Sequence, residues 1–191
     1  MKKYFLSTLL IIISGFFIWQ CEVNTNPITY PLYIKKEQKA TIYRIVLDSL
    51  VLREGMERIV FTDSTDLFQH SEEILVSMPT LDSFTLIDFL RQNQNSTPFR
   101  MIPDLGIEQI LMSRKEFQNI LIQGGWELFR QRYPHSNGLI GMSNIGMNKD
   151  LNQALVYFSQ QWDYLAGHGI LVFLTKHGEW QITQAITIWI S

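Results

Sequence analysis

Apolar and polar positions alternate most cleanly near the end of the chain. In Trp180-Gln-Ile182-Thr-Gln-Ala-Ile186-Thr-Ile188-Trp-Ile190 the even positions are apolar and the odd ones mostly polar, the two-residue period of a strand with one face buried. Gln184 alone breaks the rhythm. Upstream, Ile170-Leu-Val-Phe-Leu174 is apolar at every position, as in a strand covered on both faces, and His177-Gly178 predicts a tight turn between the two. Residues 139–191 therefore predict an antiparallel β-meander. Trp180 and Trp189 are an odd number of positions apart and fall on opposite faces of a regular strand; a bulge at Gln184 would undo that.

The first two-thirds of the chain reads differently. In residues 35–52 the apolar Tyr43, Val46, Leu47, Leu50 and Val51 recur at three- and four-residue spacings, which predicts a helix, with Gly55 as its stop. Ile59-Val-Phe61 predicts a short strand running into the polar turn 62–65. Residues 66–79, with Asp66, His70, Glu72 and Glu73, predict a loop containing a turn of helix. A helix resumes at residues 81–92, where Phe84, Ile87, Phe89 and Leu90 supply an inward face, and residues 109–112 suggest a brief strand. Ser113-Arg-Lys-Glu116 has capping-box spacing: the serine accepts from an early helix N–H and the glutamate reaches back to the cap's own N–H. Gly124-Gly125 interrupts the helix that follows, and Trp126 to Tyr133 continues it as a second run.

The expected fold is α+β, two to four helices packed on one face of a four- or five-stranded antiparallel meander formed mainly by the C-terminal third. Residues 35–191 are expected to form a single domain.

Composition changes this picture at the N-terminus. Lys2 and Lys3 precede an apolar run from Tyr4 to Trp19, and polarity returns at Gln20, so residues 1–20 read as an export signal. Cys21, the single cysteine, follows directly; the arrangement resembles a bacterial lipoprotein signal, in which that thiol is acylated. Trp19 and Gln20 stand where such signals carry small residues, which leaves an ordinary cleaved signal or an uncleaved anchor as alternatives. Residues 21–34, with Pro27 and Pro31, read as an extended tether. The expected location is the bacterial envelope, reached through lipid on Cys21 or through the N-terminal segment, with secreted or periplasmic forms as alternatives. Without Lys2 and Lys3 the chain keeps 14 basic against 18 acidic residues and has no basic stripe. Nucleic acid is therefore not an expected partner, whereas an envelope protein is.

Candidate chemistry is sparse. There is no Gly-rich phosphate loop, no Gly-x-Ser-x-Gly elbow, no His-Glu-x-x-His and no cysteine pair, and no metal or cofactor is expected. The best concentration of polar groups is the segment 161–169, in which His168, flanked by Gly167 and Gly169, accompanies Asp163 and Tyr164; His70 with Glu72 and Glu73 is comparable. One histidine and one acid do not make a metal site, so the first group reads as a solvated loop, and the paired acids of the second read as a solvated face. Asn148 and Gln153 read as amides that satisfy backbone groups at strand ends.

Trp126, Tyr133-Pro134, Gly138, Ser143, Gly146, Asn148, Gln153-Ala-Leu-Val-Tyr157, Gly167, Gly169, Leu174, Lys176, Gly178, Trp180, Trp189 and Ser191 together resemble the C-terminal pattern of a family of uncharacterised bacterial secreted proteins and lipoproteins. The resemblance lies mainly in residues 126–191 and implies a shared fold and an envelope setting, with no catalytic or binding residue carried over. The chain departs from the pattern at Met147, where phenylalanine is expected, and at Asn144, where arginine is expected.

Three functional readings follow, in this order: an envelope-anchored, non-catalytic interaction module; a small-ligand carrier with an apolar pocket between helix and sheet; a hydrolase using His168 and Asp163 or the acids near His70. If Cys21 carries the anchor, Cys21→Ser releases the protein from the membrane fraction, as read by fractionation and immunoblotting. Retention without lipid would identify the apolar segment or a partner as the anchor.

Overall fold

The fold is known from a computed structural model, which describes residues 36–68, 74–100, 102 and 105–191. Cys21, the tether, His70, Glu72 and Glu73 lie outside the described residues. Those described all belong to one compact unit, residues 32–191.

Ile59, Val60 and Phe61 are consecutive apolar residues, each no more than 1% exposed, so their strand β1 (Arg58–Thr62) must be covered on both faces. It pairs in parallel with β2 (Glu108–Met112) on one side and with β3 (Leu139–Met142) on the other. From β3 the sheet continues antiparallel through β5 (Gln153–Asp163), β6 (Ala166–His177) and β7 (Glu179–Ile190), while the short β4 (Gly146–Met147) pairs with β5 beyond the end of β3. The meander expected from the sequence is present in β5 to β7. The whole sheet is mixed and has seven strands, because β1 and β2, which look like isolated fragments in the sequence, join it as parallel neighbours.

The helices cover both faces of this sheet, not one as expected. On the first face α1 (Lys36–Leu50) buries Ile42, Val46 and Leu47 against Phe61, Ile140, Val156, Phe158, Val172 and Trp180. The buried Tyr43 hydroxyl donates to the Ser143 carbonyl at 2.8 Å, and desolvation holds its pKa above the ordinary tyrosine range. The expected stop at Gly55 is too late. α1 ends at Leu50, where the Arg53 guanidinium takes the Leu50 and Leu52 carbonyls at 3.0 and 2.9 Å.

The second face carries two separate helical layers. The one-turn α2 (Ile74–Ser77) and α3 (Ser83–Gln92) close over Leu155, Tyr157, Leu171 and Phe173. Asp82 caps α3 by accepting the Phe84 N–H, and Gln153 ties the same end to the sheet, accepting from Asp82 N–H at 2.8 Å and donating to the Thr80 carbonyl at 3.1 Å. The other layer is α4 (Arg114–Arg132), whose Ile120, Trp126 and Phe129 pack on Val60, Met112 and Leu139. Its interruption falls where expected, at Gly125, with φ of 62°. Ser113 accepts the Glu116 N–H as the capping box requires, but the Glu116 carboxylate accepts the Tyr133 hydroxyl at 2.9 Å and makes no return bond to the cap. Asn148 takes its expected bland role, accepting from the backbone of Asn152 and Gln153.

The two tryptophans of β7 lie on opposite faces: Trp180 is in the α1-face core, and Trp189 donates its indole N–H to Tyr157 Oη on the other. The register of β7 against β6 slips once beside Gln184 and again before Trp189, and two one-residue slips restore the parity that either alone would invert. The first slip also explains the rhythm-breaking glutamine. Ile182 remains with the α1-face core, while Ile186 and Ile188 pack on the α2 and α3 side.

Trp180 is 7% exposed within a close-packed core. Trp180→Ala is expected to cost about 3 to 5 kcal/mol, measured by denaturant unfolding. A loss under about 1 kcal/mol, within the range of ordinary surface changes, would contradict its placement.

Candidate functional site

Between the two helical layers of the second face the sheet shows small and polar residues. Leu139 pairs with Gln161 and Gly141 with Ser159 across β3 and β5, so these four side-chain positions share that face. Above them opens a cleft of about 430 Å³, bounded by the segment after β1 and by Ser113, Arg114 and Phe117 at the start of α4. It adjoins the carboxyl ends of parallel strands, the place where open sheets with crossover helices bind ligands.

Asp66 is the acid of this cleft. Its backbone N–H donates to the Met142 carbonyl at 2.9 Å, which extends the β1 segment along the end of β3. The carboxyl group then lies directly over Gly141, so close that a Cβ at residue 141 would collide with it. Ser159, the strand partner of Gly141, donates its hydroxyl to Asp66 Oδ2 at 2.5 Å. Burial pushes the Asp66 pKa above its ordinary 3.8, and the serine bond offsets part of that rise.

The hydroxyls around Asp66 are held by local bonds. Ser96 Oγ donates to the Thr65 carbonyl at 2.6 Å, Thr62 Oγ1 donates to the Ser64 carbonyl at 2.8 Å, and Thr65 Oγ1 accepts the Thr97 N–H at 2.9 Å. Asn144 fastens this corner to α3: its amide donates to the Gln92 carbonyl and to Thr97 Oγ1, both at 3.1 Å. At the position where the resemblance expects arginine, the chain thus has a neutral backbone-binding amide.

The sequence points instead to His168 and Asp163, and the structure gives them different partners. The turn between β5 and β6 is only Tyr164-Leu165, so His168 lies within β6, opposite Gln160, and not in a loop. Its flanking glycines serve close packing. A Cβ at Gly169 would strike the Trp189 indole nitrogen and the Tyr157 hydroxyl. The imidazole stands edge-on to Phe158 and Trp162, with centroids 5.7 and 5.4 Å away, and its buried Nε2 has no hydrogen-bond partner. Desolvation, then the Arg53 charge, holds its pKa below the usual histidine value. Asp163 meets Arg130 at 3.5 Å in an exposed pair and accepts the Tyr164 N–H. His168 does border a second cavity of about 390 Å³, with Arg53, Trp126, Arg130 and Trp162.

Among the described residues no three His, Cys, Asp or Glu side chains gather as a metal site, and no helix is long and apolar enough to cross a membrane. No protein-family model, curated protein or solved structure matches the chain.

In the sequence Asp66 is one of several polar residues in the stretch 66–79, and Ser159 and Gly141 carry no local signal. A raised acid pKa favours folding below the ordinary 3.8, where Asp66 is protonated in both states, and that contribution is lost as pH rises through the folded-state value. Asp66→Asn removes this dependence. Urea unfolding between about pH 3 and 7 should therefore show the stability of the wild type falling relative to the variant as pH rises. A gap that does not change with pH would contradict the shift.

Proposed function

We propose that this chain is a non-catalytic ligand-binding module of the bacterial envelope, held near the membrane through Cys21 or the apolar segment before it, which captures a small polar molecule in the Asp66 cleft. The observation that carries the reading is the seating of Asp66: a half-buried carboxyl group over a glycine, fixed by Ser159, facing a cleft of about 430 Å³ at the ends of parallel strands. A group in such surroundings costs stability, and a ligand that pairs with it offsets the cost. The volume lies within the range of small-molecule sites. An apolar carrier pocket between α1 and the sheet has less support, since large side chains such as Phe61, Phe158 and Trp180 occupy that layer.

A protein-binding reading is favoured by one separate feature. The β5–β6 turn presents Tyr164 at 65% and Leu165 at 85% exposure, and the Tyr164 hydroxyl rests against the Gly125 kink of α4, three residues from Ile122 at 83%. These apolar groups are candidates for a partner contact.

Native mass spectrometry of protein gently extracted from its own envelope tests the main reading. The wild type is expected to carry a small-molecule mass beyond the polypeptide and any acyl chains, and Gly141→Ala, whose methyl group displaces the Asp66 carboxyl, is expected to lose it while remaining folded by circular dichroism. Retention by Gly141→Ala together with loss by Arg130→Ala would move the site to the His168 cavity. A wild type without added mass would count against a tightly held ligand.

A further inference from the structure

The hydrogen bonds lining the cleft narrow the ligand's chemistry. Ser159, Ser96 and Thr62 all direct their hydroxyl protons into the protein: to Asp66, to the Thr65 carbonyl and to the Ser64 carbonyl. Thr65 Oγ1 differs, since it receives the Thr97 N–H and the Asn144 amide and its lone pairs are taken within the protein. What Ser159, Ser96 and Thr62 turn toward a ligand is oxygen lone pairs. Asp66 adds more, since an ionised carboxylate has about four acceptor sites, and besides Ser159 no side chain donates to it among the described residues. None of the ion pairs there includes it. Ser64, Ser113 and Gln161, farther along the lining, can both donate and accept. The acceptor-rich wall beside a carboxylate without a counter-charge calls for a ligand that brings several donors and a positive charge. The cation bordering the cleft, Arg114, is solvent-exposed at the start of α4, where water and salt screen it.

We infer that the cleft takes a ligand bearing a primary ammonium group, which sits on Asp66 and among the hydroxyl oxygens beside it. The inference rests on the reading of this cleft as the binding site. An ammonium has three donors and no acceptor, the complement of this wall. It also meets the carboxylate with its own charge, in the charge-assisted bonds that are the stronger class. A ligand carboxylate placed there would face the like charge of Asp66.

The test compares three probes of equal chain length, butylammonium, butanol and butyrate, added at millimolar concentration to the isotope-labelled full chain in detergent and followed by amide NMR. Butylammonium is expected to move the resonances of Asp66, Gly141 and Ser159 saturably, and the other two are not. Asp66→Asn, nearly the same shape without the charge, is expected to weaken butylammonium binding by about tenfold or more. If butyrate or butanol binds these residues as well as the amine does, the ammonium inference falls and the cleft reading stands. If none of the probes moves them, both fall. Equal binding of butylammonium by Asp66→Asn would remove Asp66 as its seat.

Discussion

The position of β1 is the constraint on which the rest of this structure depends. A strand with Ile59, Val60 and Phe61 all buried must lie inside a sheet that is covered on both sides, and it does so between β2 and β3, parallel to each. Parallel neighbours cannot be joined by a hairpin, so the chain has to leave the sheet between β1 and β2 and again between β2 and β3. On the first excursion it forms α2 and α3, then places Phe99, Ile102 and Leu105 in the α1-face core before entering β2. On the second it forms α4. The helices on the second face are thus a consequence of strand direction.

These excursions also create the cleft. α3 packs on the β5 and β6 half of the second face and α4 on the β1 to β3 half, so two apolar layers stand side by side with a seam between them. Gly141 and Ser159 form its floor. A larger apolar pair would extend the core across the seam; the glycine instead leaves room for a carboxyl group that burial makes costly to ionise. Core packing alone gives no reason for that arrangement; the proposed binding would supply one.

Much of the architecture was legible because it follows from local rules. The three-to-four spacing of Tyr43, Val46 and Leu47 marked α1, the Ser113 cap marked the start of α4, the glycine pair marked its kink, and Gly178, with φ of 85°, made the expected turn between β6 and β7. The mistaken expectations depend on distant residues. His168 and its glycines look like a loop because glycine is common in loops, yet these glycines make room for Trp189 and Tyr157, which are far from them in sequence. The candidate cleft is illegible in the sequence for a similar reason: Asp66 and Ser159, ninety-three positions apart, meet only once β3 and β5 have paired.

The sequence by itself determined most of the helix and strand segments, the stretch around His168 excepted, because periodicity, caps and turns act within a few residues. It also set the apolar and cationic pattern before Cys21 that underlies the expected envelope setting. The tertiary structure alone decided the parallel placement of β1 and β2, the covering of both sheet faces, the double slip that separates Trp180 from Trp189, and the meeting of Asp66 with Gly141 and Ser159. The physical reason is range. Hydrogen-bond direction and hydrophobic periodicity bias each segment locally, whereas strand order and register are chosen by the burial of whole faces, and that is a property of the assembled sheet.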